Sequence, residues 1–326
     1  MSEKRHLRWA VLGTGVIANE MAQALRSMGR TLDAVGNRTH EKAEAFANKY
    51  GVPRVYGDYR EMFSDPEIDA VYITTPHNTH IAFLEEALSH GKHVLCEKSI
   101  TLNSAELERA RKLAEKNRAV LAEAMTIYHM PLYRELTRRV RAGELGRVNL
   151  IQLNFGSFKP YDMTNRFFSR SLAGGALLDI GVYALSLARL FLDSSPDQVR
   201  SFVRKAPTGV DESAAIAMTN REGQLATAVL SLHSKQPKRA VVSCEKGYIE
   251  IMEYPRADRA LIVDAETGRT ETVSAGRTAD ALRYELEDME SAVLTGGDMM
   301  LPYTADVMAL MTALRREWGV VYPEEE

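Results

Sequence analysis

Trp9-Ala10-Val11-Leu12-Gly13-Thr14-Gly15-Val16-Ile17-Ala18 reads as a buried apolar strand, a glycine turn and the start of a helix. Its glycines and alanine follow the spacing GxGxxA. Gly13 permits the tight turn, Gly15 lets the backbone approach a pyrophosphate, and small Ala18 lets the helix pack closely on the strand. The backbone N–H groups from Thr14 to Ile17, Val16 included, then face phosphates at the positive end of the helix dipole. Glycine turns also join strands to helices for packing alone, so the surrounding chain decides whether this one marks a dinucleotide site.

Outward from the turn, a helix through Met21, Ala24 and Leu25 ends near Gly29, and a second strand runs from about Thr31 to Gly36. A turn selective for NAD carries Asp or Glu after this strand, to accept hydrogen bonds from the ribose. Here stand Asn37, Arg38 and Thr39. With no acid to repel a 2′-phosphate and a guanidinium to grip one, NADP is the expected cofactor; NAD is possible, since Arg can stack on the adenine of either. Further on come a helix His40–Tyr50, a strand near Val55, a helical turn Tyr59–Phe63 and a buried strand Ala70–Ile73. The last leads into Thr74-Thr75-Pro76-His77-Asn78-Thr79-His80. Loops at the carboxyl ends of parallel strands form the ligand crevice. Thr74, Thr75, Pro76, His77 and His80 are therefore expected beside the cofactor. After a helix to His90, strand His93–Cys96 delivers Glu97 and Lys98 to the same edge. The capping pattern Asn103–Glu106 starts a helix to Asn117, and Ala119–Ala122 form another strand. Strands alternating with helices in this way predict a doubly wound parallel sheet, the Rossmann arrangement.

The pattern changes after Met125. A helix Pro131–Ala142 leads into Val148–Phe155, and segments Val199–Lys205, Ala214–Thr219, Leu225–Leu232, Ala240–Cys244, Tyr248–Met252 and Ala260–Val263 alternate apolar and polar residues. Turn signals such as Glu245-Lys246-Gly247 separate them. This predicts an open, mostly antiparallel sheet in a second α/β domain, with residues 1–125 and 126–326 as the two domains. A length of 326 residues suits two cores better than one. Helices of the same chain can cover one side of such a sheet, so self-association through the other is expected, as a homodimer or homotetramer.

Net charge is -3, from 41 basic and 44 acidic side chains, which gives no electrostatic reason to expect nucleic acid or an anionic membrane as partner. Cys96 and Cys244 have no metal-ligand spacing and read as reduced thiols. The charged start, Met1 to Arg8, has no apolar leader pattern, and no uninterrupted apolar stretch is of membrane-spanning length. A cytoplasmic protein acting on a small molecule is the expectation. The acidic tail Glu324-Glu325-Glu326 reads as disordered.

Gly174-Gly175-Ala176-Leu177-Leu178-Asp179-Ile180-Gly181-Val182-Tyr183 breaks into a helix after two glycines. Asp179 and Tyr183 are four apart and share a helix face. Gly181 inside the helix suits a close approach by another backbone or a cofactor. Oxidising an alcohol removes a hydroxyl proton while hydride leaves the carbon, so a general base is needed. A tyrosine with ordinary pKa near 10 is too weak an acid to be ionised, and a neighbouring ammonium lowers it. Lys98 would supply that ammonium and bond the substrate oxygen.

The order of GTGVIA, Glu97-Lys98 and the Gly174–Tyr183 motif resembles the glucose-fructose oxidoreductase/inositol dehydrogenase/MocA (Gfo/Idh/MocA) family, in its dihydrodiol and xylose dehydrogenase-like branch. The resemblance runs through Gly209-Val210-Asp211-Glu212 to a late helix Tyr284–Gly296. It implies a Rossmann domain, an open-faced second domain, and hydride transfer between NAD(P) and a sugar, polyol or vicinal diol. It also implies a catalytic lysine at Lys98, and Tyr183 as acid/base where the family pattern otherwise has His, with Asp179 contacting a substrate hydroxyl or holding Lys98. Two other activities within the resemblance are a non-catalytic dinucleotide-binding regulator and a redox-neutral NAD-dependent glycosidase. Ser99 stands where the family usually has Pro, and His-Pro is opened to His129-Met130-Pro131. Glu97 could hold the nicotinamide or pair with a lysine, and Arg166 could bind substrate or cap a helix. Tyr161, His233 and Tyr128 are weaker candidates.

Overall fold

The computed structural model describes residues 6–326. The chain forms two compact units, one of residues up to Ala124 with Leu282–Leu301, the other of Met125–Ala281 with Pro302–Glu326. A single boundary near Met125 does not anticipate the return of Leu282–Leu301 to the first unit.

In the first unit the chain runs β1 (Trp9–Leu12), α1 (Val16–Ser27), β2 (Ala34–Gly36), α2 (His40–Tyr50), β3 (Arg54–Tyr56), α3 (Tyr59–Ser64) and β4 (Ala70–Ile73). Then follow α4 (His80–Ser89), β5 (His93–Glu97), α5 (Ser104–Asn117) and β6 (Leu121–Ala124). The strands pair in parallel in the order β3-β2-β1-β4-β5-β6. β1 and β4 are buried at every residue, which is why they read as unbroken apolar runs. The strand order reverses beside β1, so the crevice opens at the carboxyl ends of β1 and β4. The returning segment fills the back of this unit: Leu282, Leu286 and Met289 join the core of Trp9, Met21 and Leu25. Glu290 accepts from Arg30 Nη2 (2.6 Å), Trp9 Nε1 (3.2 Å) and the Leu7 amide (3.3 Å).

The second unit begins with α6 (Thr126–His129), α7 (Pro131–Arg141), β7 (Val148–Gly156) and α8 (Val182–Phe191). Strands β8 (Gln198–Lys205), β9 (Asp211–Thr219), β10 (Leu225–Ser231), β11 (Gln236–Cys244), β12 (Gly247–Met252), β13 (Arg259–Asp264) and β14 (Thr270–Ser274) follow. The chain ends with α9 (Ala281–Thr295) and α10 (Leu301–Trp318). The sheet order is β14-β13-β12-β11-β7-β10-β9-β8; only the β7–β10 pair is parallel. Alternation sorts its faces. Ile151, Leu153, Ala226, Ala228, Leu230 and Val242 are buried, while Leu225 and Val229, in register with Thr219 and Ala215, are exposed.

One expectation is corrected in this unit, that of a disordered tail. Arg170–Phe191 is long and apolar enough to cross a bilayer, but 83% of that window is buried within the protein. The acidic tail is ordered: Pro323–Glu325 forms a helical turn, and Glu325 makes a two-pronged ion pair, 2.8 Å on each arm, with Arg315. Arg315 is only 2% exposed, and a buried guanidinium requires such a partner.

Candidate functional site

In the first unit the glycine turn lies over the carboxyl end of β1. The Gly13 amide donates to the Gly36 carbonyl (2.8 Å), which ties the turn to β2. Gly13 has φ +106°, and a Cβ there would meet Thr74 Oγ1 at 2.5 Å, so both conformation and space demand glycine. Beside Gly15 the space is open, as a cradle for a backbone-bound group requires. No side chain caps α1 at Gly15 among the described residues, which leaves the first-turn N–H groups to an anion. Asn37 Nδ2 donates to Thr14 Oγ1 (2.8 Å), and Asn37 Oδ1 accepts from the Thr39 amide (2.9 Å).

These residues open on a groove of about 1030 Å³ lined by Gly13, Thr14, Gly15, Asn37, Arg38, Thr74, Thr75 and Pro76. The residues present fit a bound dinucleotide. Lys42 and Arg60 join Arg38 in the lining. The one carboxylate among the lining residues, Asp58, is occupied as the cap of α3, accepting from the Arg60 amide at 2.8 Å. Sequence reasoning missed Lys42 and Arg60. Lys42 lies in the first turn of α2, close in sequence to Arg38; Arg60 reaches the groove only through the tertiary fold.

Other sequence candidates lie elsewhere. Val16 is exposed and Ile17 packs against the core, so they offer the groove backbone and not side chains. His77 and His80 do not line the groove. His80 is fully buried, with Nδ1 3.0 Å from the Ser99 carbonyl and Nε2 2.8 Å from the Thr75 carbonyl, which leaves no ring nitrogen for a cofactor. Its burial pushes the imidazole below its ordinary pKa, against the pull of the surrounding carbonyls. His77 Nε2 donates to the Lys98 carbonyl (3.0 Å). Glu97 accepts from the Tyr72 hydroxyl of the neighbouring strand β4, and the Lys98–Ser99 peptide bond is cis.

In the second unit the motif around Asp179 is reached through a wide π-turn, Leu177–Gly181, instead of the regular α-turn that the four-residue spacing assumes. Such turns recur at functional sites. Gly181 is explained by packing: a Cβ there would lie 2.8 Å from Leu230 Cδ1 of β10. Asp179 is buried and Tyr183 half-buried. Arg166 Nη1 lies 3.7 Å from Asp179 Oδ1, so two of the expected substrate residues meet. The Tyr183 ring is 6.1 Å from Phe155, which packs edge-on against buried Tyr254. Tyr161 donates to Glu212 (2.7 Å) and lies 4.3 Å from the His233 ring, while Tyr128 packs against Tyr303.

The entry to this helix is fixed from outside. The Leu177 amide donates to Asp211 Oδ2 (2.6 Å), and the Tyr322 hydroxyl donates to the Gly174 carbonyl (2.7 Å). Gly175, at φ +132°, has no room for a Cβ because Asp211 Oδ1 would lie 2.4 Å away. Burial pushes the Asp211 carboxyl up to about 7, with the Leu177 amide and Arg315 opposing.

The trans-1,2-dihydrobenzene-1,2-diol dehydrogenase of Danio rerio is 28% identical over 332 residues, covering 98% of this chain and 99% of the relative. Among solved structures, the aldose-aldose oxidoreductase of Caulobacter crescentus, complexed with glycerol, is 25% identical with a TM-score of 0.86, covering 97% of this chain and 98% of that one. A 3-ketoreductase of Actinomadura kijaniata, in complex with NADP and TDP-benzene, shares the fold at 22% identity and TM-score 0.82, covering 96% and 98% of the two chains. Residues 7–125 match the model of the Gfo/Idh/MocA oxidoreductase family with NAD-binding Rossmann fold, and residues 133–250 match the family's C-terminal domain. With both halves matched, the chain belongs to the Gfo/Idh/MocA family of NAD(P)-binding oxidoreductases.

Proposed function

We propose that this oxidoreductase is an NADP-preferring dehydrogenase that moves hydride between the nicotinamide and a sugar, polyol or vicinal diol. The observation that carries the coenzyme preference is the cationic lining of the groove. Arg38, Lys42 and Arg60 line it together, and no carboxylate follows β2 to repel a 2′-phosphate. The relatives named as diol dehydrogenases, and the aldose-aldose oxidoreductase, support a polyhydroxylated substrate.

Bound NADP supplies the hydride acceptor or donor. Gly13, Thr14, Gly15 and the first-turn amides of α1 would hold its pyrophosphate, and Arg38 its 2′-phosphate. Tyr183 takes the substrate hydroxyl proton in oxidation and returns it in reduction. Lys98 orients the same oxygen and keeps the phenol acidic. Asp179, paired with Arg166, presents a carboxylate oxygen to a second hydroxyl, for which a sugar or diol is suited and a simple alcohol is not. A cytoplasmic location and assembly with a second copy through the open sheet face complete the proposal.

The test is reduced-nicotinamide absorbance on mixing the protein with NADP⁺ or NAD⁺ and a panel of aldoses, inositols and trans-diols. Turnover favouring NADP⁺ is expected, falling roughly a hundredfold or more in Tyr183→Phe. Arg38→Asp should shift the preference toward NAD⁺ by at least about tenfold. Turnover undiminished in Tyr183→Phe overturns the assignment of the acid/base. Tight coenzyme binding with no turnover on any panel member would instead favour the regulator, and a coenzyme that cycles without net redox change the glycosidase.

A further inference from the structure

Lys98 enters here as the reacting group proposed above, and its ammonium can act on a substrate oxygen only if its backbone is held. Among the described residues, the segment that carries it, Lys98-Ser99-Ile100, lies beyond the strand pairing, which ends with β5 at Glu97. Side chains from three other elements take its backbone groups instead. His77, in the helical turn before α4, donates Nε2–H to the Lys98 carbonyl at 3.0 Å. His80, the first residue of α4, brings Nδ1 to 3.0 Å from the Ser99 carbonyl. Glu123 of β6, 2% exposed, accepts from the Ile100 amide at 3.1 Å. Two residues further, Glu106 accepts from the Leu102 amide (2.9 Å).

We infer that His77, His80 and Glu123 are positioning residues for Lys98, a side-chain clamp at the place where the family usually has proline and this chain has Ser99. Buried backbone groups need partners, and here polar side chains supply bonds whose removal weakens the hold on the loop but need not remove an element of the fold. His80 also faces the Thr75 carbonyl at 2.8 Å, in a loop that lines the coenzyme groove. A neutral imidazole has a single N–H, so its Nδ1–H tautomer serves the lysine loop and its Nε2–H tautomer serves the coenzyme loop.

That division sets the experiment. His80→Asn places an amide nitrogen near the Nδ1 position and keeps the bond to Ser99; His80→Gln reaches the Nε2 position and keeps the bond to Thr75. Glu123→Gln keeps an acceptor for the Ile100 amide, and Glu123→Leu does not. With NADP⁺ and either D-xylose or trans-cyclohexanediol, whichever turns over, kcat should fall roughly ten- to a hundredfold in His77→Phe, His80→Gln and Glu123→Leu. In His80→Asn and Glu123→Gln it should stay within about threefold. The dissociation constant of NADP⁺, measured by calorimetry, should change less than about threefold in His77→Phe and Glu123→Leu. Independently of any substrate, amide hydrogen exchange at Ile100 should quicken roughly tenfold in Glu123→Leu and not in Glu123→Gln.

A lowered melting temperature with unchanged kcat in all variants, or equal losses in His80→Asn and His80→Gln, overturns the inference. Lys98→Met separates the two levels. If it is inactive while the histidine and Glu123 variants are normal, only the clamp fails. If it is fully active, the role of Lys98 fails and the clamp's purpose with it.

Discussion

Asp211 is a carboxylic acid sealed inside the second unit, at the entry to the segment that carries Tyr183. One oxygen takes the Leu177 amide at the head of the Asp179–Tyr183 segment, and no hydrogen-bond partner meets the other among the described residues. Burial raises its pKa to about 7, so near neutrality the protonated and ionised forms coexist. The sign of the consequence follows from proton binding. The folded state holds this proton more tightly than the unfolded chain, whose carboxyl titrates near about 4. Between about pH 4 and pH 7 its contribution to stability therefore declines as pH rises, and above pH 7 the whole penalty is present. Asn at this position still accepts from the Leu177 amide and never ionises. Asp211→Asn should melt with the native protein near about pH 4 and several degrees above it near about pH 8, as followed by circular dichroism. A constant offset at every pH would mean that the carboxyl is already ionised at the acid end.

At the scale of elements, the eight-stranded sheet presents one covered and one open face. On the open side, Leu225 and Val229 of β10 are 52% and 39% exposed, and Phe202 of β8, in register with Ala215, is 83% exposed. With a second copy proposed on this face, Leu225→Glu/Val229→Glu should yield a monomer in sedimentation velocity where the native chain sediments as a dimer or tetramer. A native chain that sediments as a monomer removes the proposal. This open sheet and the parallel sheet of the first unit were both legible in the sequence, because strand alternation and glycine turns are local signals. β14 was not: of its five residues only Val273 is buried, so it offers no pattern. α10 was also missed, and with it Arg315, the partner that orders the acidic tail. The π-turn before Tyr183 leaves no mark in spacing, since the same residues would serve a regular helix. The candidate site divided in the same way. The glycine turn, Asn37, Arg38 and Thr74–Pro76 could be placed at one edge by strand order alone. Arg60 could not, and His77 and His80 were assigned to the correct loop but to the wrong partner, because a loop histidine carries no sign of which carbonyl it will meet.

At the scale of the whole molecule, the chain crosses between its units after Ala124, after Ala281 and after Leu301. The first unit is therefore incomplete without a segment that lies far along the sequence. Glu290, in that segment, would be pushed up by burial alone, but Arg30, His6 and Trp9 hold its carboxyl below the ordinary range. A fragment ending at Ala124 lacks these bonds and the apolar cover of Leu286 and Met289. It should show no cooperative thermal transition by circular dichroism, and joining residues 282–300 to it through a flexible linker should restore one. A cooperative melt of the short fragment would mean that the returning segment is dispensable. During synthesis the same interruption becomes a delay. About 175 residues separate Ala124 from Met299, and at about 5–20 residues per second a ribosome needs roughly 10 to 35 s to make them. For that time the nascent nucleotide-binding unit waits with one side of its core uncovered, and chaperones or cellular proteases have their opportunity before the coenzyme groove is backed by a finished domain.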